Sequence, residues 1–78
     1  MDWLLELAPA LGVEPVADAH VEGLLDMSRD VAHSVERRAT PLAMFLLGMA
    51  VERRRSAGVA FETALDEALT GMRATLPA

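Results

Sequence analysis

The chain has 78 residues, 53% of them hydrophobic, with twelve acidic against seven basic side chains for a formal charge of -5 and a pI near 4.8. That charge argues against nucleic acid and anionic membranes as general partners, since both need a cationic surface. The absence of cysteine excludes disulfides and thiolate metal sites.

One domain is expected over residues 1–78, and its stability is marginal because a chain this short buries only about 60% of its unfolded surface. Leu, Ala, Val and Met dominate the apolar residues, and Trp3, Phe45 and Phe61 are the aromatics. This composition predicts an all-α protein: a compact bundle of four helices. The start, MDWLLEL, is acidic, unlike a signal peptide, and no apolar run approaches the roughly 20 residues of a membrane span. The expectation is a cytoplasmic protein.

The first helix is predicted from an Asp2 cap towards Leu11, with Trp3, Leu4, Leu7, Ala8 and Leu11 on a broad face. Pro9 predicts a kink or an early stop, because it removes an amide and crowds the carbonyl of Leu5. Gly12 is the expected terminator. The second helix starts at Asp18 or His20. Val21, Leu24, Leu25, Ser28, Val31, Ala32 and Val35 make its apolar face, and Arg37 and Arg38 suit its negative end.

Thr40-Pro41 is expected to cap and open the third helix. From Pro41 to Val51 it reads PLAMFLLGMAV, without a charge, before Glu52, Arg53, Arg54 and Arg55. A helix apolar on every side must be surrounded. The expectation is therefore a central third helix, wrapped by the other three or left partly for a partner. Gly48 in its interior suggests close approach of a neighbouring backbone. Ser56-Ala57-Gly58 ends it. The fourth helix runs from about Ala60 to Thr75, with Phe61, Ala64, Leu65, Ala68, Leu69, Met72 and Leu76 inward.

Four groups of residues are candidates for function. Asp26, Arg29, Asp30 and His33 form a polar cluster on the second helix, in a row that Arg37 extends. Asp30 and His33 have the spacing of one half of a bundle metal site, but a second pair is missing, so no metal is expected. Solvated ion pairs, Asp26 with Arg29 and Asp30 with Arg37, are the plainer reading, with His33 bridging Asp30 to the next loop. Arg37, Arg38 and Thr40 lie where a helix N-terminus can receive a phosphate or carboxylate, although arginines there often only complete the preceding helix. Arg53–Arg55 read as a solvated helix end. Trp3, Leu4, Met44 and Met49 are candidate interface residues. No nucleophile–base pair or phosphate loop stands out, and Ser28 lacks the context of a carrier-protein serine. The chain therefore reads as no enzyme, with no cofactor implied.

Leu24-Leu25-Asp26, Arg29-Asp30-Val31-Ala32-His33, Pro41-Leu42, Phe45-Leu46 and Gly48 together resemble an actinobacterial family of short helical domains of unknown function. Trp3-Leu4 matches its start, and the similarity covers nearly the whole chain. The family often has Pro at the position of Arg38, and Gly where this chain continues as Val51-Glu52-Arg53. Members occur alone and beside, or fused to, nucleotidyltransferase domains of molybdenum-cofactor guanylylation. The resemblance implies an accessory module without activity of its own. The expected function is a protein-interaction module that pairs with itself as a homodimer or with such a nucleotidyltransferase, through apolar surface of the first and third helices. The alternative is a binder of a phosphate-bearing pterin or nucleotide at Arg37, Arg38 and Thr40.

Overall fold

The computed structural model describes residues 2–77. It is all-helical over those residues: α1 spans Asp2–Ala10, α2 Asp18–Ser34, α3 Ala39–Ser56 and α4 Phe61–Thr75.

Two of the ends are built alike. Gly12 takes φ +71° after α1 and Gly58 takes φ +98° after α3. In α1 the Gly12 amide donates to the Pro9 carbonyl at 3.0 Å and the Val13 amide to that of Ala8 at 2.9 Å. In α3 the Gly58 amide donates to Arg55 at 2.9 Å and the Val59 amide to Arg54 at 3.0 Å. Both are Schellman caps, which use the left-handed glycine to satisfy the last carbonyls. Pro9 sits within the last turn of α1, so its missing amide disturbs little of the helix.

The junction of α2 and α3 differs from expectation. α2 stops at Ser34, where Val35 leaves helical geometry at φ -112° and ψ -86°. Arg37 and Arg38 therefore stand in a turn rather than on the end of α2. α3 begins at Ala39, with Arg38 at its cap position in helical conformation and no side-chain cap. Thr40 is the second helical residue rather than the cap, and Pro41 the third. Proline is tolerated there because first-turn amides have no acceptor within the helix. The Thr40 hydroxyl instead donates to the Ser28 carbonyl on α2, a long bond of 3.4 Å.

Packing joins α3 to α4 and α2 to α3. His20 near the start of α2 meets Glu62 near the start of α4, and Asp30 further along α2 meets Arg73 further along α4. The two helices therefore run parallel, with α3 antiparallel to both. Leu47 and Val51 of α3 and Ala64, Leu65 and Ala68 of α4 form the core. Leu24, Met44, Ala50, Leu69 and Met72 pack around them. On α4, Ala64, Leu65, Ala68, Leu69 and Met72 face inward as the spacing predicts, whereas Phe61, expected in the same row, is 43% exposed at the start of the helix. On α2 the expected face is displaced: Met27 is completely buried, while Leu25 and Val35 are exposed.

The chain does not wrap α3. The molecule measures 36 × 30 × 20 Å, and its short dimension holds only about two helix diameters of 10–12 Å. Each helix consequently keeps an outer face. α1 buries Ala8 but adds no residue to the core cluster between α3 and α4; Leu4 and Leu5 border a groove with Val16 and Val21 near the start of α2. A Cβ on Gly48 would meet nothing within 4 Å, so no neighbouring backbone approaches there. The accessible surface is 5946 Å², against about 4600 Å² expected for a folded monomer of this mass.

Candidate functional site

The outer face of α3 is the first candidate. Leu42, Phe45, Leu46 and Met49 are 70%, 71%, 62% and 56% exposed. Their spacing of i, i+3, i+4 and i+7 puts them in one row along the helix. The face arises because α3 is apolar on every side while α2 and α4 cover only the side of Leu47 and Val51. Trp3 is also exposed, at 65%, and Leu4 is half-buried. Met44 turns the other way from Met49: it is half-buried against the core. The pattern Leu-x-x-Phe-Leu-x-x-Met is the sequence signal of this exposed row, which adds Leu42, Phe45 and Leu46 to the candidate residues.

The second candidate is a cleft of ≈ 540 Å³ where α2, α3 and α4 meet under the loop Val13–Ala17. Leu24, Met44, Leu47, Val51 and Leu65 wall it, and Gly48 leaves room on the α3 side. Its rim is a set of polar contacts. His20 Nε2 lies 3.0 Å from Glu62 Oε1, with the imidazole side chain only 13% exposed. The His20 ring meets Phe61 edge-on at 5.3 Å. The Arg55 guanidinium lies 5.8 Å from the centre of the Phe61 ring and 3.5 Å from the Glu52 carboxylate. These rim groups bind one another, so the cleft offers an apolar wall and few free hydrogen-bonding groups. His20 carried no role in the sequence, yet His20, Leu24, Met27 and Val31 continue one inward row of α2.

The polar cluster on α2 does not converge. Arg29 donates to Asp26 at 3.0 Å, the expected pair. Asp30 accepts from Arg73 of α4 at 2.9 Å, not from Arg37. His33 is exposed and makes no side-chain hydrogen bond among the described residues. Among those residues no three His, Asp or Glu side chains gather as a metal site.

The turn before α3 is also occupied by its own bonds. Arg37 and Arg38 are exposed. The amides of Ala39 and Thr40 donate at 3.2 Å to the carbonyls of Glu36 and Arg37, and the Thr40 hydroxyl is turned to Ser28. Two amides and the hydroxyl that an anion would use are thus engaged within the chain. None of the three clefts described on the surface includes Arg37, Arg38 or Thr40.

The family model described as a domain of unknown function, DUF6457, matches residues 1–78. No curated protein and no solved structure matches the chain. No helix among the described residues is long and apolar enough to cross a membrane.

Proposed function

We propose that this chain, which belongs to the DUF6457 family, is a non-enzymatic docking module of the cytoplasm that binds a protein through the outer face of α3. The observation that carries this reading is the exposed row Leu42, Phe45, Leu46 and Met49. Contiguous apolar surface of this kind marks interaction sites in soluble proteins. The size of the surface supports it too. The excess over a monomer of equal mass is about 1300 Å², more than the roughly 800 Å² that one partner contributes to a standard interface. The resemblance to domains found beside molybdenum-cofactor nucleotidyltransferases makes such an enzyme the first partner to test, with a second copy of the chain as the other. Crosslinked affinity capture from the native cell is expected to recover a partner with the wild-type chain and to lose it with Phe45→Glu. Equal recovery by both chains would refute the assignment of this face. Light scattering from micromolar concentrations upward distinguishes self-association.

The cleft supports a second reading, a small-ligand binder. Its volume falls within the range of about 300–1,000 Å³ usual for ligand sites. An apolar body suits its walls better than a phosphate, and the phosphate-bearing pterin or nucleotide would then lie apart from Arg37 and Arg38. Calorimetry with pterins, nucleotides and apolar small molecules should show heat that Gly48→Leu removes by filling the space. Silence across the panel ends this reading.

A further inference from the structure

The row on α3 does not stop at its apolar residues. Arg38 stands four positions before Leu42 and Arg53 four positions after Met49, so both fall on the same side of the helix as the stripe. They are fifteen positions apart, about 22 Å along a helix. Among the described residues neither makes an ion pair, whereas Arg29, Arg54, Arg55 and Arg73 each bind a carboxylate. Arg37, also without an ion pair among those residues, adjoins Arg38. Glu52, three positions after Met49, borders the same end as Arg53, but Arg55 pairs with it at 3.5 Å; Glu36 likewise stands beside two arginines, Arg37 and Arg38. The net charge at each end of the apolar face is therefore positive, on a chain whose net charge is negative.

That pattern selects against the face itself. In a two-fold dimer with the α3 helices antiparallel, Arg38 of each copy meets Arg53 of the other. With the helices parallel, each arginine meets its own equivalent. Either arrangement brings like charges together at both ends of an apolar contact, which disfavours the pairing. An anionic bilayer would tolerate the arginines, but the net charge of -5 opposes approach to it. A helix laid along the stripe, anchored by its own i, i+3, i+4 and i+7 residues, satisfies both the shape and the charge.

We propose that the outer face of α3 binds an amphipathic helix of a different protein, whose apolar row ends at both sides in carboxylates about 22 Å apart. This rests on the docking reading above and names the chemistry of the partner. The arginines fix register and orientation, and the four apolar residues supply the contact.

The test uses the full chain and two synthetic amphipathic peptides of about five helical turns, alike except that one carries glutamates at both ends of its apolar row and the other lysines. Binding is read by fluorescence anisotropy and located by amide NMR shifts. The glutamate peptide is expected to bind about tenfold more tightly than the lysine peptide, with shifts at Leu42, Phe45, Leu46 and Met49. Phe45→Glu should abolish that binding. The exposed pair Arg38→Glu and Arg53→Glu should invert the preference, with circular dichroism confirming that the variant folds. Equal affinity for the two peptides, lost on Phe45→Glu, would overturn the charge inference while leaving the docking face standing. No binding of either peptide at this face would overturn both. A homodimer dissolved by Phe45→Glu would overturn the heterologous partner, as would cosedimentation with phosphatidylglycerol vesicles that the same substitution abolishes.

Discussion

Leu46 and Leu47 are neighbours on α3, identical in chemistry and opposite in fate. Leu47 is 4% exposed and sits in the core, while Leu46 points outward. About 100° of helical rotation separates them. The same division runs the length of the helix, with Leu47 and Val51 inward and Leu42, Phe45, Leu46 and Met49 outward. The lesson is that hydrophobicity states that a residue should be covered, whereas the number of neighbouring helices decides whether its own chain covers it. With α2 and α4 on one side and α1 elsewhere, α3 is half-covered.

Truncation gives the largest contrast between the faces. Leu47→Ala should lower unfolding free energy by about 2–5 kcal/mol, the sum of lost burial and the cavity left behind. Leu46→Ala should change it by no more than about 0.5 kcal/mol. Urea titrations of the two variants at equal, dilute protein concentration measure both. Comparable losses would break the division, because they would mean that Leu46 is covered in solution.

The glycines allow a second contrast, with effects of opposite sign. Gly58 holds φ +98° in the cap of α3, where any Cβ is strained, so Gly58→Ala should destabilise by about 1–2 kcal/mol. Gly48 has ordinary helical backbone and open space around its missing Cβ. Gly48→Ala should therefore stabilise by about 1 kcal/mol through helix propensity alone. Thermal midpoints that fall for the first and rise for the second would sharpen the account of α3. A fall for both would show that Gly48 carries a close contact after all.

Much of this fold is legible in the residues. Gly12 and Gly58 announce the ends of α1 and α3, and the inward row of α4 from Ala64 onward follows from spacing, although Phe61 before it is exposed. The start of α3 is less so. Thr40-Pro41 is a strong opening signal, but the turn through Glu36, Arg37 and Arg38 already supplies helical geometry two residues earlier, so the threonine is free to bond to α2. On α2 the leucine pair Leu24-Leu25 masks the row that matters, because Met27 fits between helices where Leu25 cannot point. The candidate surface is the least legible part. A segment with no polar side has no periodicity to show which half faces a neighbour, and only the packing of α2 and α4 against the side of Leu47 and Val51 shows it. His20 shows the same limit: its partners Phe61 and Glu62 lie 41 and 42 positions away in sequence, and only the parallel run of α2 and α4 brings them together.

The smallest effect on stability tests the outer face most directly. Phe45→Glu places a charge in the middle of the exposed stripe. If that stripe is in water, the carboxylate keeps its hydration, no cavity forms, and the helix loses nothing beyond a slight change of propensity. The expected change in unfolding free energy is within about 0.5 kcal/mol. Buried against another surface, the same charge would have to be desolvated without a partner, which is strongly unfavourable. The two situations are separated by a titration with and without the bound partner. The isolated variant should unfold at the wild-type urea midpoint, and the added stability that a partner confers on the wild type by binding its folded form should vanish in the variant. A large loss in the isolated chain would place Phe45 in an interface already formed by copies of the protein. That would move the division between the two faces of α3 from covered and bare to covered within a chain and covered between chains.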